Sequence, residues 1–182
     1  MPNDCLSVFP LKCAELDATS GGGSSVCGSS LFIHDGLSND LIYTPRTQAV
    51  AVRHSHTSGY PIASCRVYRR DSAPKATAYS ACIATSDHAV TVFGGSEEGF
   101  VFSSELSQGF LDFEDEEGGS DACWKHVWSR DAPEELVSIC RPSGRCSAAT
   151  ARWASGGALI LFGGVGKKWQ HPNDLWSLDT RT

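Results

Sequence analysis

The chain has 182 residues, 41% of them hydrophobic, with 18 Gly and 8 Pro, a composition that suits one domain of short strands and turns around a sizeable core. Its net charge of −6 has the wrong sign for a generic nucleic-acid surface, and no run of about 20 apolar residues is present to cross a membrane. The eight cysteines form no Cys-x-x-Cys pair and the stretch from Met1 to Leu6 has no basic segment of a secretory signal. We therefore expect a cytoplasmic chain whose cysteines are reduced, small, buried hydrophobes.

Taken in order, Cys5 to Phe9 reads as a strand ended by Pro10, and Ala18 to Gly23 as a loop. Ser24 to Cys27 and Leu31 to His34 are expected to pair across a turn at Gly28-Ser29-Ser30, with a third strand from Asp40 to Thr44. Val50 to His56 reads as extended, which puts His54 and His56 on one side. A His-x-His on a strand is half of a metal arrangement, but no third ligand can be assigned to it and a solvated strand end is the preferred reading. Ser64 to Arg69 is the expected outer strand, its arginines Arg66, Arg69 and Arg70 marking a solvated edge.

Small residues from Ala76 to Ala84 begin a second unit. Val90 to Phe93 follows as a strand stopped by Gly94-Gly95, and Phe100 to Ser104 as its third strand. Asp112, Glu114, Asp115, Glu116 and Glu117 crowd into an expected exposed insertion; an acidic contact surface or a cation site is the functional alternative. Trp124, His126 and Trp128 alternate, which predicts that all three share one face. Asp131 to Cys140 is read as one helical turn. In the last unit Leu159 to Phe162, four apolar residues in a row, reads as a strand buried on both faces. Gly163-Gly164 stops it, and a half-exposed strand runs from Asn173 to Asp179.

The quartet ending in Gly-Gly, followed by Asn173-Asp174-Leu175-Trp176 and an acidic residue three positions on, resembles the kelch repeat of β-propeller proteins. The same grammar recurs at Phe93 and, more weakly, at His34, where Asn39-Asp40-Leu41 matches the second half and Asp35 replaces the first glycine. Asp tolerates left-handed backbone, so the bend is expected to survive. The aligned positions His34, Phe93 and Phe162 lie 59 and 69 residues apart, longer than the family period of about 50.

The resemblance implies an all-β fold of about three four-stranded antiparallel kelch-type blades, of the type seen in the galactose oxidase central domain. The whole chain, 1–182, is read as a single kelch-repeat region with units over 24–70, 74–130 and 142–182, and with 1–23 a loop and candidate closing strand. It also implies outer-strand tryptophans packed between neighbouring sheets. The last unit stops before its expected outer strand, so an incomplete propeller is expected, either a piece of a larger one or a chain that self-associates.

For function, the expected class is a non-catalytic protein-interaction module that binds protein and neither nucleic acid nor membrane. Its expected contact residues are Lys167, Lys168, Trp169 and His171, because an exposed tryptophan beside cations is common at binding hot spots. The alternative for Trp169 is packing over the blade edge. The rival class is a metal-dependent enzyme on the same blades, copper-oxidase-like or sugar-epimerase-like. No motif locates the two tyrosines, two histidines and cysteine of the copper site. The iron pattern of plant specifier proteins is met at Glu117 and Asp121 but fails at Lys125, with His126 one residue late. Gly163 to Lys168 lacks the spacing and the following Ser or Thr of a phosphate loop. No catalytic, cofactor or metal residue is therefore assigned.

Overall fold

The computed structural model describes residues 19–44, 46–54, 61–68, 74–75, 77–98, 100–111, 123–128, 141–153 and 158–179. The expectations for Cys5 to Phe9, His56, the acidic run 112–117 and 131–140 lie outside these residues. Among the described residues the chain is all β with one short 3-10 turn and no α-helix.

Three antiparallel sheets follow one another along the chain. The first joins β1 (Gly23–Cys27), β2 (Ser30–His34), β3 (Thr47–His54) and β4 (Pro61–Tyr68) in sequence order. Its first hairpin is tight: Cys27 pairs with Ser30 and Gly28 supplies a φ of 57°. The second sheet joins β5 (Ala81–Ser86), β6 (Ala89–Phe93), β9 (Leu106–Phe110) and β10 (Cys123–Trp128), again in sequence order; between β6 and β9 the chain makes a small hairpin, β7 (Ser96–Glu97) and β8 (Val101–Phe102). The third sheet has three described strands, β12 (Ala149–Trp153), β13 (Ala158–Phe162) and β15 (Leu175–Asp179). A two-stranded patch of β11 (Arg145–Cys146) and β14 (Val165–Gly166) lies beside it, and the 3-10 turn spans Lys167–Trp169.

Several expected elements move. Asp40 to Thr44 is a loop, because Leu41 takes a φ of 60° and the bonds Leu41 N–H to Ser38 O and Ser38 N–H to Ile42 O, both 2.9 Å, close a turn. The third strand of that sheet starts at Thr47. Phe100, at a φ of 59°, likewise turns the chain, so Leu106–Phe110 takes the third place in the second sheet. In β13 only Leu159 and Leu161 are buried, so this strand is covered on one face, unlike β6, which is buried throughout.

Two apolar clusters hold the sheets face to face. Cys27, Phe32, Ala49 and Tyr68 of the first sheet meet Cys82, Ala84, Val90, Val92 and Trp124 of the second. On the opposite face of the second sheet, Ala81, Phe93 and Leu106 pack with Leu161 of the third, joined by Trp128, Trp176 and Leu178. Both tryptophans of β10 thus pack between neighbouring sheets, but between different pairs. A bulge between His126 and Trp128 reverses the alternation, so the expectation that Trp124, His126 and Trp128 share one face does not hold. Trp124 lies against the ring of His34, 4.9 Å between centroids, and Trp128 meets Phe93 edge-on at 6.4 Å.

Candidate functional site

The second and third strands of each sheet are linked by a loop of the same length. The register pairs that close the three loops are His34 with Thr47, Phe93 with Leu106, and Phe162 with Leu175, which leaves twelve residues in each. Each loop opens on two residues of positive φ: Asp35 and Gly36 at 55° and 118°, Gly94 and Gly95 at 69° and 106°, Gly163 and Gly164 at 64° and 101°. Asp35 therefore does take the left-handed conformation of the glycine it replaces. The first residue of each pair donates its N–H to the carbonyl of the last loop residue: Asp35 to Arg46 at 2.8 Å, Gly94 to Glu105 at 2.9 Å, Gly163 to Asp174 at 3.3 Å.

The seventh residue of every loop is a large hydrophobic side chain held at positive φ and pointed at solvent. These are Leu41 (φ 60°, 73% exposed), Phe100 (φ 59°, 67%) and Trp169 (φ 60°, 62%). A left-handed conformation costs a non-glycine residue roughly 1–2 kcal/mol, and these mostly exposed side chains recover little of it by burial in the core. Phe100 and Trp169 meet across the junction of the second and third units, ring centroids 5.5 Å apart, with Phe102 edge-on to Trp169 at 6.1 Å. Lys167, Lys168 and His171 are all exposed around Trp169, and Lys168 also sits at positive φ, 58°. The four residues expected from the sequence thus share one loop, and the structure adds Phe100, Phe102 and Leu41.

The third loop is pinned by an ion pair between a buried arginine and a partly exposed aspartate. The guanidinium of Arg145, fully buried, clamps Asp174 through both terminal nitrogens; its Nη2 donates to Asp174 Oδ2 at 2.8 Å, and its Nη1 also donates to the Gly163 carbonyl at 3.0 Å. The Trp176 indole N–H donates to the same Asp174 Oδ2 at 2.8 Å. The hydrogen bond from Arg145 holds the Asp174 carboxyl below its usual pKa, with smaller help from Trp176. In the second loop Glu105 occupies the place of Asp174 and turns to His126, 2.6 Å from Glu105 Oε1. Sequence reasoning missed this pairing, whose partners lie 29 residues apart.

The chain resembles solved structures while matching nothing by sequence: no protein-family model and no curated protein matches it. It is similar to the structure of YjhT, with a TM-score of 0.64 at 12% identity over 92% of this chain and 45% of that one. It is similar also to RAG in a cryo-EM structure of its complex with one melted and one unmelted RSS, with a TM-score of 0.63 at 12% identity over 90% and 52%. The fold is β-propeller-like. The chain spans about half the length of each of these neighbours.

Blades of a propeller present their connecting loops on two rims, and the twelve-residue loops all lie on one of them. Elsewhere, a cleft of about 390 Å³ opens between the first two sheets, lined by Cys27, Ser30, Cys65, Arg66, Asp87 and His88 among others. Among the described residues no three His, Cys, Asp or Glu side chains converge in a metal-binding arrangement, and no helix is long and apolar enough to cross a membrane. The described cysteines carry free thiols; Cys27, Cys82 and Cys146 are buried and Cys123 is exposed. Burial pushes the Cys82 thiol far above its ordinary pKa and raises Cys27 also, which favours the protonated thiol in both.

Proposed function

We propose that this chain is a kelch-type propeller segment that acts as a non-catalytic protein-interaction module in the cytoplasm, and that it binds its partner through the rim of twelve-residue loops. One observation carries the reading: Leu41, Phe100 and Trp169 repeat at the same loop position, in the same strained conformation, with their side chains in solvent. Strain kept at exposed apolar residues has no stability rationale and is characteristic of binding surfaces. Trp169, buttressed by Phe100 and Phe102 and flanked by Lys167, Lys168 and His171, has the composition of a hot spot.

Proximity labelling combined with pull-down, comparing the parent with a Leu41→Ser/Phe100→Ser/Trp169→Ser chain, tests the proposal. Loss of the same partner set from the triple variant, with an unchanged melting temperature, is the expected result. Equal recovery by a folded triple variant removes the rim from consideration.

A further inference from the structure

The three long loops repeat in length and in backbone but not in charge. The third is the only one of the three in which cations outnumber carboxylates, in a chain whose net charge is −6. The first loop exposes Asp40 next to Leu41, and the second exposes Glu98 two residues before Phe100. In the third, Lys167 and Lys168 directly precede Trp169 and His171 follows it, all in solvent. A large apolar side chain at the seventh position is thus common to the rim, while the charge beside it changes sign between the second loop and the third.

Other cations beside these loops are matched. Lys75 Nζ lies 2.6 Å from Glu97 Oε2 of the second loop, and Arg145 clamps Asp174 of the third. Among the described residues no carboxylate is set against Lys167 or Lys168. Their backbone is fixed even so. Lys168 and Trp169 take φ of 58° and 60°, and the turn that carries them is closed by Gly166 N–H donating to Gln170 O at 2.8 Å. Phe100 and Phe102 hold the Trp169 ring, their centroids 5.5 and 6.1 Å from it. Two ammonium groups adjacent on a fixed turn repel each other in the free chain, and a carboxylate set between them removes that repulsion without any ordering of the loop.

We propose that the partner of this rim presents an acidic protein segment, with carboxylates over Lys167 and Lys168 and an apolar side chain beside them on the platform of Trp169, Phe100 and Phe102. This rests on the rim reading above and adds to it the partner's chemistry and its direction. Asp40 and Glu98 set the direction, because carboxylates that ran on past Trp169 toward the second and first loops would meet like charge. The acidic end of the segment therefore lies over the third loop, and the segment is apolar or basic where it reaches the second. The same two carboxylates disfavour nucleic acid, whose phosphates repeat along its whole length while the unmatched lysines here are confined to one loop.

Selection of randomised short peptides on the whole chain, followed by fluorescence anisotropy of the enriched peptides, tests the proposal. The enriched peptides are expected to join a cluster of Asp and Glu at one end to an aromatic or aliphatic residue, and to bind less tightly as salt is added. Their affinity is expected to fall roughly tenfold on a Lys167→Glu/Lys168→Glu chain and to persist on a Lys167→Arg/Lys168→Arg chain. Versions with Lys in place of the acids are expected to prefer the charge-reversed chain. Melting temperatures confirm that each variant is folded, and a Trp169→Ser chain reports on the rim itself. Basic or uncharged peptides that are enriched and are lost from the Trp169→Ser chain would overturn the acidic partner and leave the rim reading standing. Peptides indifferent to Trp169→Ser and to lysine reversal alike would overturn both. Tighter binding of a random-sequence single-stranded oligonucleotide, or a selection that enriches no peptide, would also overturn the proposal.

Discussion

Trp124 and Trp128 leave the same strand and enter different cores, Trp124 between the first and second sheets and Trp128 between the second and third. The cause is the single extra residue of the bulge, since a shift of one residue in a strand sends every later side chain to the other face.

Because Trp124 is buried and Trp128 only partly so, the two should not be equal in energy. Trp124→Ala is expected to cost about 3–5 kcal/mol, and Trp128→Ala about 1–3 kcal/mol. Denaturant midpoints with comparable slopes measure both. A nearly neutral Trp124 variant would contradict the packing of the first two sheets.

Arg145 is buried, and removing Asp174 takes away the only carboxylate the structure sets against its guanidinium among the described residues. Asp174→Ala is expected to destabilise by about 3 kcal/mol, the low end for a broken buried pair because the Asp174 side chain is itself partly exposed. Replacing both, as Arg145→Met/Asp174→Leu, should cost less than the single change. A double variant weaker than the single one would contradict a buried, mutually compensated pair.

The same pair sets a pH dependence. The Asp174 pKa is depressed in the folded chain, so its contribution is present above the unfolded value of about 3.9 and is lost as pH falls through the folded value. Melting curves of parent and Asp174→Asn should be well separated near neutral pH and should converge as pH is taken below about 4. A gap that persists unchanged in acid would assign the stabilisation to packing instead.

Much of this fold was legible in the sequence. Val90 to Phe93 and Leu159 to Phe162 announce strands through their unbroken apolar runs, and the glycine pairs that stop them announce the bends. The third strand of the second sheet was not legible: Leu106–Phe110 contains Ser, Gln and Gly, and its place is decided by pairing with β6. Matching Asn39-Asp40-Leu41 to Asn173-Asp174-Leu175 was the natural reading of the letters, but the structure sets Leu41 opposite Trp169 in the repeat. The signal that finds Leu41 and Phe100 is the constant spacing between strand ends, which exists only once those ends are known. A bulge such as the one before Trp128 leaves no mark in the local sequence.

Equivalent glycines offer a comparison within the chain. A Cβ on Gly94 would run into the carbonyl of Arg145 in the next unit, whereas on Gly163 its nearest contact is Pro172 O at 3.7 Å. Both positions have positive φ, so Gly163→Ala is expected to cost about 1–2 kcal/mol from backbone strain alone and Gly94→Ala about 3 kcal/mol or more. Thermal melts of the two variants at low protein concentration check this; equal losses would mean that the second and third units do not approach as closely as described.

The central claim is that successive units stack sheet on sheet and bring their long loops onto one rim, and contacts between aromatic rings test it most directly. Nuclear Overhauser spectra of the chain should show cross-peaks from Trp124 to His34 and from Trp169 to both Phe100 and Phe102, pairs joined by no local sequence. Trp128 should show them to Phe93 and none to His34. Absence of the Trp124 and Trp169 cross-peaks in a folded sample, or a Trp128 ring placed beside Trp124 against the first sheet, would contradict the account.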